Sequence, residues 1–125
     1  MPTVSQPKNL GDLLKYEAPN LYSREQDTVA AAQNLVLGTV VGRETITAKL
    51  KGFDPTASDG AETAVGVLGN EVDATLINRD DAILIARHAI VARGALVWPN
   101  GISAAQKNAA IQQLAERGVL VRDSA

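Results

Sequence analysis

The chain holds a single histidine, His88, set between Arg87 and apolar residues. A histidine-built metal site or a catalytic triad therefore has no second ring to draw on. Cysteine is absent, which removes thiol nucleophiles, disulfides and thiolate zinc sites and fits a reducing compartment such as a bacterial cytoplasm. Three carboxylates, Asp54, Asp59 and Glu62, fall in one loop with a superficial likeness to a calcium loop. Such a loop needs glycine at its sixth position, where Asp59 stands, so a solvated turn is the better reading. Asp80 and Asp81 are adjacent; neighbours on a strand point to opposite faces, so they make a poor general acid–base pair. Gly38, Gly42, Gly66 and Gly69 do not form a phosphate-binding fingerprint followed by a helix. No catalytic residue, no metal site and no cofactor are expected.

The bulk properties narrow the partners. A chain of 125 residues is enough for one domain with a modest core. A net charge of −2, with basic residues scattered singly, offers no footprint for nucleic acid. The longest apolar stretch, residues 82–98, is broken by Arg87, His88 and Arg93, so no membrane span is expected. Residues 1–6 are polar and lack a basic start, so no signal peptide is expected. Aromatic residues are only 3% of the chain, too few for a platform that stacks bases or sugars.

The elements that would position any binding surface fall into two parts. Residues 1–26, with Pro2, Pro7 and Pro19, read as an extended arm ahead of a β-rich domain at 27–125. The arm carries Leu10, Leu13, Leu14, Tyr16, Leu21 and Tyr22, more apolar side chains than a solvated tail needs. Either it orders on a partner, or it folds back on its own domain. Residues 14–18 alternate as an added strand would, whereas Leu10, Leu13 and Leu14 also fit one face of a short helix.

Beyond the arm, residues 28–32, 35–41 and 45–50 read as short strands, with breaks at 33–34 and 42–44. A turn-rich loop follows at 53–62, then a buried strand at 64–68 and a polar break at 78–81. The runs 83–86, 89–92 and 95–98 lack alternation, which points to burial on both faces. A subunit interface is one way to supply the second face, and it nominates Ile90, Leu96, Trp98 and Pro99. One helix is expected near the C-terminus: Ser103 and Gln106 form a capping box, Ile111 and Leu114 supply the apolar stripe, and Gly118 suits a left-handed C′ position that lets Val119 meet Leu114. Residues 119–121 close the domain as a strand. The fold class is mainly β with one C-terminal α-helix and an extended N-terminal arm.

Four segments in this order carry a family resemblance. They are Tyr22-Ser23-Arg24-Glu25; Leu37-Gly38-Thr39-Val40-Val41-Gly42; Asp59-Gly60 leading to Ala64-Val65-Gly66-Val67-Leu68; and Leu96-Val97-Trp98-Pro99 running into Ala105-Gln106-Lys107 and Leu114-Ala115-Glu116-Arg117-Gly118. Across residues 22–122 the chain resembles the bacteriophage head decoration proteins related to the lambda protein D. The resemblance implies a small domain of β-clip type and a homotrimer on the outside of the expanded head, at three-fold and quasi-three-fold sites. There it would hold major capsid subunits against packaged DNA, with the N-terminal arm adding a strand to a capsid sheet. Its place would be the outer surface of the virion, after synthesis in the host cytoplasm. Its partners would be the major capsid protein and itself, with no nucleic acid and no membrane. A phage surface module binding a host receptor or glycan is the alternative, and a small enzyme with a site between subunits is a more distant one.

Overall fold

A computed structural model describes residues 9–123; the first part of the expected arm, with Pro2 and Pro7, lies outside the described residues. Strands take 37% of the structure and helical segments 20%, so the molecule is mainly β with a helix at its C-terminal end. The strands are β1 (Leu14–Glu17), β2 (Arg24–Val29), β3 (Gln33–Leu35), β4 (Val40–Arg43), β5 (Leu50–Gly52), β6 (Gly66–Leu68), β7 (Val72–Ala74), β8 (Arg79–Ile85), β9 (Ala89–Ala92) and β10 (Val119–Arg122). A single helical turn, α1 (Leu10–Leu13), precedes β1, and α2 (Ala104–Glu116) is the long helix. Strands β2-β5-β4-β6-β8 close into a barrel, β1-β9-β10 form a second sheet, and β3-β7 form a small third one.

The run at 83–86 belongs to a wall, β4-β6-β8, that does have two buried faces, both supplied by the chain, whereas in the run 89–92 Ile90 stays only half-buried. Val40, Val67 and Ile85 are linked through register pairs across β4, β6 and β8 and pack into one apolar cluster with Val91, Leu114 and Val119. Their neighbours Val41, Leu68 and Leu84 face the other cluster, with Val29, Leu50 and Val72. Since successive strand residues point to opposite faces, a wall buried on both sides cannot alternate in sequence.

Helix α2 follows the expected chemistry. Ser103 Oγ accepts the Gln106 N–H at 3.1 Å, and Gln106 Oε1 accepts the Ser103 N–H at 3.0 Å. Ala110 and Leu114 are fully buried, and so is Val119. Gly118 takes φ +86°, turning the chain into β10, which runs parallel to β9. Parallel neighbours need a long crossover; α2 is that crossover.

Several expected boundaries move, each for a reason of register. The pair Arg43↔Leu50 already closes the β4–β5 hairpin, so residues 44–49 form its loop rather than a strand. Ala48 donates its N–H to the Glu44 carbonyl at 2.8 Å there, and Ile46 is 96% exposed. The expected break at Gln33 and Asn34 is strand β3, paired with β7, and Gly42 and Arg43 end β4 instead of separating strands. The polar stretch from Arg79 to Asp81 is the start of β8: it pairs with β2 beyond the reach of β6 and stays exposed. The run 95–98 is not a strand; a 3-10 turn at Arg93–Ala95 is followed by one bridge, Thr39↔Val97.

Candidate functional site

From Asn9 onward the N-terminal segment is folded back on its own domain, the alternative that the sequence left open. Helix and strand both occur, in succession. Asn9 and Asp12 cap α1 reciprocally, at 3.1 and 2.9 Å, and Leu13 is fully buried in the core beside Val91. Leu10 and Leu14 are half-buried against the same cluster. Strand β1 then pairs antiparallel with β9 at the edge of its sheet. The boundary drawn after Gln26 falls inside β2, which runs through residues 24–29.

A tight connection joins β1 to β2. Arg24 grips Glu17 with two hydrogen bonds of 2.7 Å each. That fork holds the Glu17 carboxyl below the ordinary glutamate range and raises the Arg24 guanidinium. Ser23, fully buried, accepts the Ala18 N–H and donates to the His88 carbonyl, both at 2.8 Å. Between these ties, Asn20 and Leu21 both sit at positive φ, 61° and 58°. Asparagine tolerates that region; leucine does not favour it. Arg87 donates to the Tyr22 carbonyl at 2.7 Å, pairs with Glu25, and lies over the Tyr22 ring. His88 meets the same ring edge-on at 5.2 Å, which gives the histidine a packing role.

Of the six arm residues, Tyr16, Leu21 and Tyr22 face solvent, at 53%, 59% and 54% exposure. A groove of about 440 Å³ runs beside Leu21, lined also by Arg24, Glu25, Gln26, Asp81 and Ile83. Of the four interface candidates, Leu96 is buried in the chain's own core. Trp98 and Pro99 are half-buried beside a cleft of about 200 Å³ that Val36 and Phe53 also line, with Trp98 edge-on to Phe53. Ile90 does not line it. Instead, Ile90 pairs with Tyr16 on one side and Leu120 on the other. These three half-buried or exposed side chains cross the outer face of the β1-β9-β10 sheet, opposite the buried Val91, Val119 and Val121. The structure thus sets an expected arm residue, Tyr16, beside a candidate interface residue, Ile90, with Leu120, which sequence reasoning did not single out, on the same face. The signal for Leu120 was its middle position in the expected strand 119–121, which puts it on the face opposite Val119 and Val121.

The carboxylates of the 53–62 loop are occupied locally. Asp54 accepts the N–H and hydroxyl of Thr56, Asp59 accepts the Ala61 N–H and the Lys51 ammonium, and Glu62 accepts the Gly60 N–H. These bonds hold Asp54 and Asp59 below the ordinary aspartate range. Among the described residues, no group of three His, Asp or Glu is placed to hold a metal ion, and no helix is long and apolar enough to cross a membrane.

Compared with known proteins, residues 3–119 match the family model described as bacteriophage lambda head decoration protein D. No curated protein matches the chain.

Proposed function

Because the chain belongs to the bacteriophage lambda head decoration protein D family, a structural component of the phage head that binds the capsid, we propose that it is a homotrimeric clamp on the outside of the expanded shell. It sits at three-fold and quasi-three-fold positions and stabilises the major capsid protein against packaged DNA. The N-terminal residues up to Gln26 carry the attachment, those beyond Asn9 from their seat on the domain. The observation that carries this reading is the place of β1: an edge strand that directly follows α1 in the N-terminal segment and carries the exposed Tyr16. An edge strand presents unpaired backbone groups to a strand of another chain.

Such a clamp needs no catalysis. It works by binding the mature shell better than its alternatives, so stabilisation follows affinity and occupancy. Three attachment segments on one body make the release of any one local and quickly reversed, so each can be individually weak. A host-receptor or glycan module would need exposed ring platforms. Among the described residues, the exposed large aromatics are Tyr16 and Tyr22, both in the segment assigned here to attachment.

The test uses heads purified without the protein. These heads should lose DNA more readily on warming or chelation of divalent ions, and re-addition should restore them. Cryo-electron microscopy of the decorated heads should show three copies around each three-fold position. Density elsewhere, or restored heads without it, would overturn the assignment.

A further inference from the structure

We infer that β1 is an exchangeable strand, able to leave its own domain and take the same place on β9 of a second copy. This goes beyond the decoration reading and does not depend on it. Everything that seats residues 9–17 would be rebuilt unchanged by an identical chain. Leu13 fills the same core site, β1 pairs with β9 in the same register, and Glu17 meets the Arg24 fork of the receiving copy. Ala18 likewise finds a Ser23 hydroxyl in the receiving copy. The contacts before and after the exchange therefore match, and the balance rests on the hinge and on protein concentration.

The hinge is built to favour opening. Residues 18–22 turn back on themselves through two consecutive non-glycine residues at positive φ, Asn20 and Leu21. The one backbone hydrogen bond within that turn, Tyr22 N–H to the Pro19 carbonyl, is long at 3.3 Å. Extending the hinge releases the strain at Leu21, and short strained hinges are what invite exchange. Pro19 keeps Ala18 extended, at φ −68° and ψ 153°, so the strand already leaves the turn in the conformation exchange requires. Fully extended, the four residues 18–21 reach about 14 Å, enough to pass β1 to a copy in contact. Beyond the hinge, Tyr22 is pinned to the body by Arg87 and His88, which confines the change to residues 18–21.

The absence of cysteine allows a direct test. Tyr16 and Ile90 are register partners, and direct partners in an antiparallel pair lie about 4.5–5.5 Å apart at Cα, within disulfide range. Chains carrying Tyr16→Cys and mass-tagged chains carrying Ile90→Cys are mixed, incubated and oxidised. Exchange predicts tagged–untagged disulfide dimers, several-fold above a control in which Ile46→Cys replaces Ile90→Cys. Leu21→Gly, which accepts positive φ without strain, should lower that yield, and Leu21→Pro, which cannot adopt it, should raise it. If Leu21→Pro does not fold, Leu21→Gly alone carries the comparison. Dimers no more abundant than the control, or a yield indifferent to the hinge variants, would overturn the exchange.

Discussion

Gly118 and Glu17 show how much rests on single side chains. A Cβ at Gly118 would stand 3.1 Å from the His88 backbone nitrogen, at a φ of +86°. Gly118→Val should therefore cost about 1–3 kcal/mol through strain at a left-handed position, read as a melting temperature several degrees lower with the fold retained. Glu17 works through charge. Its carboxyl is held low by Arg24, so the pair stabilises the folded chain above the ordinary glutamate range. That contribution is lost as pH falls through the lowered value. The pair is a quarter exposed, so it is worth about 1 kcal/mol or less. Glu17→Gln should remove this part of the acid dependence: the wild-type advantage seen at neutral pH should vanish in strongly acidic melts. Ser103, Gln106 and Gly118 were legible in the sequence because caps are made with neighbours three or four residues away. The Glu17–Arg24 fork was not, since its geometry depends on a turn at Asn20 and Leu21 that no local residue preference demands.

The elements divide by whether their partners are near or far in sequence. Helix α2 was readable from one window. The 45–50 stretch alternates like a strand, yet all but its last residue is hairpin loop, because pairing of Arg43 with Leu50 leaves residues 45–49 nothing to pair with. The N-terminal segment gives the sharpest element-scale prediction. A deletion ending before Asn9 touches none of the contacts described above. One extending through Gln26 removes Leu13 from the core, removes Ser23 with its two hydrogen bonds, and cuts β2 in the middle. The short deletion should melt like the full chain, whereas the long one should unfold in circular dichroism at or below ambient temperature. Leu13→Ala alone should cost about 2–5 kcal/mol, the range for emptying a buried leucine site.

For the whole molecule, the outer row of Tyr16, Ile90 and Leu120 is the feature that an assembly would cover. The proposed trimer predicts a concentration-dependent threefold mass in sedimentation equilibrium. Ile90→Glu should shift it toward monomer, since a charge buried without a partner is costly, while leaving the monomer's melt nearly unchanged because Ile90 points away from the core. A strictly monomeric wild type at high concentration, with heads still decorated, would confine assembly to the shell.

The sequence by itself determined the mainly β composition, the C-terminal helix with both its caps, and the ordered motifs of the family. It also showed the lack of thiols and of a second histidine. These are matters of residue type and local spacing. Only the tertiary structure decided that the β4-β6-β8 wall is buried on both sides by the chain itself, with Val40, Val67 and Ile85 facing one cluster and Val41, Leu68 and Leu84 the other. It likewise decided that Leu13 is core, and that Tyr16, Ile90 and Leu120 share a face. Those facts follow from pairings between strands far apart in the chain, such as β1 with β9 across some 70 residues. Burial on two faces reads the same in sequence whether the second cover is a neighbouring subunit or the chain's own helix, and only the register of distant strands tells them apart.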